Sequence, residues 1–141
     1  MNLLFITMDG ARKDRTLAAK NYSNVIDKSI FFPNVVTYAP FTIAAMHAVF
    51  SGTYGFKTGV NSYWSNLNFK KSLYKTLPLY LKEHDYLTHA DVINKLVLPP
   101  DGFDEFIIHD ELNDDLTERH LELIKKYDTV RKSGKKFFLY L

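Results

Sequence analysis

The strongest constraint on the fold is a short apolar run near the amino terminus, residues 3–8, that Asp9 and Gly10 bring to an end. An unbroken run of this length is typical of a strand buried on both faces, and such strands occur in parallel sheets covered by helices. A second apolar run of strand length, residues 137–141, closes the sequence. We therefore expect both runs to form strands inside a helix-covered sheet.

Between these runs, predicted helices and strands alternate. Small and apolar residues over 43–51 predict a buried helix, with Thr42 as its N-cap and Gly52 as its stop. Pro33 makes the apolar stretch 30–36 an edge or interrupted strand. The remaining predicted elements are a polar helix over 17–28, a short helix over 77–84, a strand over 90–93 and a longer helix capped by Asn113. The alternation predicts an α/β fold with right-handed crossovers.

Composition excludes several classes of function. Eighteen basic and 16 acidic residues are spread along the chain, so no patch for nucleic acid is expected. The absence of cysteine rules out disulfides, thiolate zinc sites and a thiol nucleophile, and favours a cytoplasmic protein. No apolar run approaches the roughly 18 residues that span a bilayer, so no membrane association is expected.

Asp9 and Thr42 are the first candidates for chemistry. Asp9 follows the first predicted strand, where a carboxylate can hold a hard divalent cation, although Asp-Gly is also an ordinary turn. Thr42 opens a helix, so its hydroxyl lies among backbone N–H groups that stabilise an anion, although a threonine there can serve simply as a cap. Each residue taken alone leaves both interpretations open.

Several segments, in order, resemble sulfatases and related phosphodiesterases of the alkaline phosphatase superfamily. Residues 2–10 are similar to the opening strand of that family, whose terminal aspartate binds metal, and residues 40–60 are similar to its nucleophile segment. Thr42 occupies the nucleophile position in that alignment. Similarity continues through residues 22–27, 81–88 and 94–95, and residues 101–106 closely match the Gly-Phe-Asp segment of the family, so the resemblance covers nearly the whole chain.

The sequence also departs from the sulfatase signature Cys/Ser-x-Pro-x-Arg. Thr42, Ala44 and Met46 stand at its three defined positions, so oxidation to formylglycine is not expected. Met8 beside Asp9 leaves one aspartate where sulfatases have a pair. Both differences bring the chain closer to the phosphodiesterase and phosphotransferase branches, which use threonine as the nucleophile.

The resemblance implies a three-layer α/β/α sandwich with a mostly parallel sheet. It makes residues 1–141 the N-terminal portion of a single sulfatase-like domain, truncated at the C-terminus. The implied activity is metal-dependent hydrolysis or transfer of phosphoric or sulfuric esters, with phosphodiesters or phosphonate esters preferred. The remaining metal ligands would come from later strands, so we expect this stretch to be inactive alone.

The resemblance also assigns the site residues. Zinc, manganese or calcium is expected on Asp9 and Thr42, with Thr42 attacking. Lys57, Lys95 and His47 are candidates to contact the substrate, a small-molecule anionic ester.

Two alternatives remain open. The chain is either part of an enzyme or a diverged, non-catalytic sulfatase-like module used for binding or assembly. An exposed sheet edge would also allow a homodimer.

Charged residues of the helix after Asn113, among them Arg119, are expected to form its solvated face.

Overall fold

The computed structural model describes residues 1–141 and contains one four-stranded sheet. Its strands are β1 (Leu3–Phe5), β2 (Tyr86–Val92), β3 (Glu105–Ile108) and β4 (Lys136–Tyr140), arranged in the spatial order β1-β4-β2-β3. All three strand pairings are parallel. The α/β class and the parallel sheet predicted from the sequence are therefore confirmed.

Six α-helices and one 3-10 helix connect or cover the strands. They are α1 (Lys13–Thr16), α2 (Lys20–Ile26), α3 (Thr42–Ser51), α4 (Gly55–Thr58), α5 (Leu77–Lys82), α6 (Leu116–Lys132) and the 3-10 helix Asn66–Asn68. None of these helices combines the length and the apolar character that a bilayer crossing requires.

Strand β4 shows why the sheet needs helices on both faces. Phe138 points to one face, where its ring centroid lies 6.2 Å from that of Phe50 in α3. Phe137 points to the other face, where its ring lies 5.1 Å from Tyr127 of α6. Burying such a side chain contributes roughly 1.5–3 kcal/mol, so both helices are held by the hydrophobic effect. The three-layer α/β/α sandwich is the result.

Because all strands run parallel, their carboxyl ends lie at one edge of the sheet. The chain passes from β1 to β2 on the α3 face, continues to β3, and returns to β4 through α6 on the opposite face. The chain moves across the sheet in one direction on the α3 face and moves back in the other direction on the α6 face. The crossovers on the two faces therefore have the same hand, as parallel sheets require. Because α6 follows β3, its amino-terminal turn begins near this carboxyl edge.

The chain divides into two compact units, residues 1–7 with 38–141, and residues 8–37. The larger unit contains the sheet and helices α3 to α6. The smaller unit contains α1 and α2, in which no residue is buried. Within it, the Lys13 ammonium donates a hydrogen bond of 2.8 Å to the Pro33 carbonyl.

Several local features differ from the sequence-based expectation. Residues 30–36 form no strand, since Pro33 cannot donate to a ladder, and Ile30 and Val36 are 84% and 93% exposed. Thr42 is the first residue of α3, and the N-cap is Phe41. Asp115, not Asn113, caps α6, because its carboxylate accepts hydrogen bonds of 2.9 and 3.0 Å from two backbone N–H groups of the first turn.

Candidate functional site

The densest cluster of chemically active side chains surrounds Asp91, near the carboxyl end of β2. Its side chain is fully buried and accepts two hydrogen bonds from Arg119 of α6, Nε to Oδ2 and Nη2 to Oδ1, both 2.8 Å. A bidentate pair of this kind is stronger than a single-point contact and fixes the plane of the carboxylate.

Two histidines approach the same carboxylate oxygen. The Nδ1 atom of His109, the residue directly after β3, lies 3.5 Å from Oδ2 of Asp91. The Nε2 atom of His120, in α6, lies 3.4 Å from that oxygen. Both ring nitrogens are buried and have no hydrogen-bond partner. We call Asp91, His109 and His120 the Asp91 group.

The alternation of β2 explains why a carboxylate stands here. Ala90 and Val92 belong to the core on the α3 face, so Asp91 between them points to the α6 face. The backbone N–H of His109 donates a hydrogen bond of 3.0 Å to the Val92 carbonyl. This bond continues the ladder between β2 and β3 and brings His109 alongside Asp91. The capped first turns of α6 supply Arg119 and His120. Three elements thus meet at the carboxyl edge of the sheet.

The electrostatics of the cluster favour an ionised Asp91. Burial raises the pKa of this carboxyl, but the hydrogen bonds and charge of Arg119, with smaller contributions from His109 and His120, hold the pKa below its usual value. Oδ2 of Asp114 lies 3.7 Å from Nη1 of Arg119, so the guanidinium forms an ion pair with this second carboxylate as well. One donor atom from each member of the Asp91 group lies within 4.8 Å of the others, so the group can hold a metal ion.

Asp9 and Thr42, the first candidates from the sequence, lie in different units of the chain. Asp9 is exposed in the smaller unit, and its Oδ1 accepts a hydrogen bond of 3.0 Å from the Gly10 N–H. Thr42 is half-buried at the start of α3 in the larger unit. Metal binding by Asp9 and nucleophilic attack by Thr42 stay predictions.

The three predicted substrate contacts have different surroundings. His47 is buried in α3, where its Nδ1 lies 2.8 Å from the Ile43 carbonyl and its ring packs edge-on against Phe69 at 5.5 Å. Lys57 is exposed in α4 and lines an open cleft of about 360 Å³ beside the end of α3. Lys95 is exposed in the turn after β2.

The Asp91 group was not predicted from the sequence, and Arg119 was predicted to lie on a solvated helix face. That assignment is wrong, because Arg119 is only 29% exposed at its side chain and ends on a fully buried carboxylate. One signal was present, since a lone aspartate in an apolar strand needs a buried partner. The partners themselves come from 18 to 29 residues further along, with no short motif to reveal them.

Comparison with known proteins found no matching family model, no similar curated protein and no similar solved structure.

Proposed function

We propose that this protein hydrolyses or transfers phosphoric or sulfuric esters, with Thr42 as the nucleophile. The observation that carries the proposal is the position of Thr42, the first residue of the ten-residue helix α3, whose N-cap Phe41 makes no side-chain capping hydrogen bond. The Thr42 hydroxyl therefore lies at the start of α3, and the side chain of the N-cap residue accepts no hydrogen bond from the first backbone N–H groups of this helix.

A helix start of this kind suits an anionic ester. The first N–H groups of a helix lack intrahelical partners and lie at the positive end of the helix dipole, so they stabilise negative charge. The core holds α3 in place, since Ile43, Ala44, Met46 and Phe50 are all buried. A rigidly held set of donors stabilises developing charge better than mobile water does.

The proposed reaction has two steps. Thr42 Oγ1 forms a bond to the phosphorus or sulfur atom while the bond from that atom to the leaving oxygen breaks, and the hydroxyl proton ends on the leaving alcohol. Water then cleaves the threonine ester in hydrolysis, or an acceptor alcohol does so in transfer. Phosphodiesters and phosphonate esters are the preferred substrates, because the resemblance places threonine nucleophiles in those branches.

The metal implied by the resemblance finds only part of its ligands at Asp9 and Thr42. These residues offer one carboxylate and one hydroxyl, whereas catalytic zinc takes about three protein ligands and calcium at least six oxygens. A divalent zinc, manganese or calcium ion would lower the pKa of a hydroxyl group that coordinates it. The two residues alone do not complete such a site, and no step above depends on it.

Two exposed cations remain candidates for holding the substrate. Lys57 and Lys95 are both exposed, so either ammonium can reach an anionic ester in solution. His47 is less suited, because its ring is buried against Phe69 and burial lowers the pKa of its imidazole. A neutral, buried ring favours a packing role for His47.

Replacing Thr42 tests the proposal. In the full-length protein, Thr42→Ala is expected to reduce turnover of an aryl phosphodiester or aryl sulfate at least 1000-fold, roughly the scale of losing a nucleophile. Thr42→Ser should keep part of the activity, because it retains a hydroxyl.

Thr129→Ala is the matched control, since its hydroxyl lies on the exposed side of α6. Circular dichroism should show the same fold in all variants. Undiminished turnover in Thr42→Ala removes Thr42 from the mechanism, and a wild-type protein without turnover favours the non-catalytic module.

A further inference from the structure

We propose that Asp91, His109 and His120 bind one divalent d-block ion of the zinc type, in a site separate from Thr42. The proposal does not depend on the ester chemistry above. It rests on the spacing of three donor atoms, on two buried ring nitrogens without partners and on the way Arg119 holds the carboxylate.

The spacing fits tetrahedral coordination. Metal–ligand bonds of about 2.0–2.1 Å place neighbouring donors of a tetrahedral zinc site roughly 3.3–3.4 Å apart. The distances from Asp91 Oδ2 to the two histidine nitrogens are 3.5 Å and 3.4 Å. The third pair, between the two ring nitrogens, is also within 4.8 Å. An ion seated between the three donors therefore requires only small side-chain movements.

The unpartnered nitrogens are the second observation. The side chain of His109 is only 8% exposed, and neither its Nδ1 nor the Nε2 of His120 has a hydrogen-bond partner. Leaving a buried polar group unsatisfied is unfavourable, and most such groups in proteins have hydrogen-bond partners. Both nitrogens lie within 3.5 Å of one carboxylate oxygen, so a single ion among them satisfies all three donors together.

The donor types select the class of ion. Two imidazoles and one carboxylate suit zinc and its d-block neighbours, whereas magnesium and calcium prefer sites made entirely of oxygen. The chain has no cysteine, so no thiolate competes for the ion. Three protein ligands leave a fourth position open for water or an anionic oxygen.

Arg119 supplies the outer support of the site. Its two hydrogen bonds of 2.8 Å fix the plane of the Asp91 carboxylate and keep Oδ2 directed at the histidines. Outer contacts that orient a ligand carboxylate commonly change metal affinity 10- to 100-fold. Asp114, 3.7 Å from Arg119, offsets part of the positive charge beside the ion.

The site is distinct from the proposed nucleophile. Helix α3 packs on the sheet face that contains Phe138, whereas Asp91 points to the α6 face. The sheet lies between the body of α3 and the Asp91 group. Zinc binding at this group and Thr42-dependent ester turnover can therefore be measured independently.

Metal titration of single variants tests the inference. We expect the chelator-treated full-length protein to bind one equivalent of zinc at this group by calorimetry. We also expect cobalt to give the strong visible absorption of four-coordinate Co²⁺. His109→Gln and His120→Gln should each weaken zinc at least tenfold and remove the cobalt absorption. Glutamine keeps a polar side chain of similar length, and circular dichroism verifies that each variant is folded.

His84→Gln and Asp9→Asn are the matched controls. His84 is an exposed histidine whose Nδ1 lies 2.9 Å from the Tyr80 carbonyl, and Asp9 belongs to the other predicted metal position. Both controls should bind zinc at this group as the wild type does. Zinc binding that is lost in Asp9→Asn but kept in His120→Gln overturns the inference, and so does a protein that binds no zinc. Thr42-dependent turnover is assayed separately, so failure of this site and failure of the proposed ester chemistry are distinguishable.

Discussion

At the scale of single residues, His47 and His89 tie stability to pH. Both side chains are almost completely buried, and burial lowers the pKa of each imidazole below its usual value. For His47 the Ile43 carbonyl opposes the shift, and for His89 the Glu105 carboxylate does so, but burial is the larger cause in both. Folding therefore favours the neutral ring.

This shift predicts a loss of stability in mild acid. An imidazole with a lowered folded-state pKa stabilises the protein fully above the unfolded value of about 6.5, and that contribution is lost as the pH falls towards the folded value. We expect the free energy of unfolding, from urea titrations, to decrease between about pH 7 and pH 5. Each unit of pKa difference contributes about 1.4 kcal/mol.

His47→Leu separates this effect from other titrations. The variant cannot bind a proton at this position, so its unfolding free energy should fall less steeply over the same pH range. Equal slopes in His47→Leu and the wild type would contradict the assignment of the pH dependence to this ring.

The candidate residues that the sequence singled out first lie at element boundaries. Asp9 and Thr42 became candidates because each adjoins a pattern that marks the end of a strand or the start of a helix. Asp91 lies inside a strand, and its partner Arg119 was predicted to lie on the solvated face of a helix. Whether a polar side chain is solvated or buried depends on which elements pack together, and no local pattern carries that information.

At the scale of elements, a small polar network ties the start of β2 to the turn before β3. The Thr88 hydroxyl donates to the Gly102 carbonyl at 2.7 Å and accepts from the Asp104 N–H at 2.9 Å. The Asp104 carboxylate accepts from the Thr88 N–H at 3.0 Å. Gly102 stands at φ +102°, where a side chain at its Cα would meet the backbone of Pro78 and Leu79.

Two glycine substitutions with different surroundings test the importance of this turn. Gly102→Ala is expected to cost about 3 kcal/mol or more, since it combines a left-handed φ with overpacking against backbone atoms that have no room to move. Gly52→Ala, at the end of α3, should cost only about 1–2 kcal/mol, because φ is +62° there but the added methyl group meets no atom within 4 Å. Urea unfolding at neutral pH measures both.

A loss of stability for Gly102→Ala no larger than that for Gly52→Ala would show that the backbone of α5 moves to accommodate the methyl group.

The central elements α3 and β4 were predictable from the sequence. Helix α3 has a clear apolar pattern and a glycine at its end, and β4 is a short, unbroken apolar run. The stretch 30–36 has equally apolar residues but remains without a strand, since Pro33 interrupts it and no strand pairs with it.

At the scale of the whole molecule, the alternation of helix and strand sufficed for the α/β class. The spatial order β1-β4-β2-β3 did not follow from it, because several orders satisfy the same right-handed crossovers. That order decides that β2 and β3 are neighbours and that α6 returns across them. The Asp91 group exists only once these three elements are assembled.

The uneven burial of the two units predicts uneven protection of backbone amides. Helices α1 and α2, of four and seven residues, contain no buried residue, and neither has a side-chain N-cap hydrogen bond. Isolated helices of this length are marginal in water, and segments with few buried contacts open with little free energy. Strand β4, in contrast, is buried from Phe137 to Tyr140 and pairs on both sides.

Hydrogen–deuterium exchange followed by mass spectrometry measures this difference peptide by peptide. We expect peptides within residues 8–37 to exchange at least 100-fold faster than peptides covering β4, whose amides require opening of the core. Helix α6 is the control, since it is long, capped by Asp115 and anchored by the buried Tyr127, so its core-facing amides should exchange slowly although much of its surface is exposed. Protection of α2 equal to that of β4 would contradict the prediction, because it would require a stabilising contact that the burial of residues 20–26 does not show.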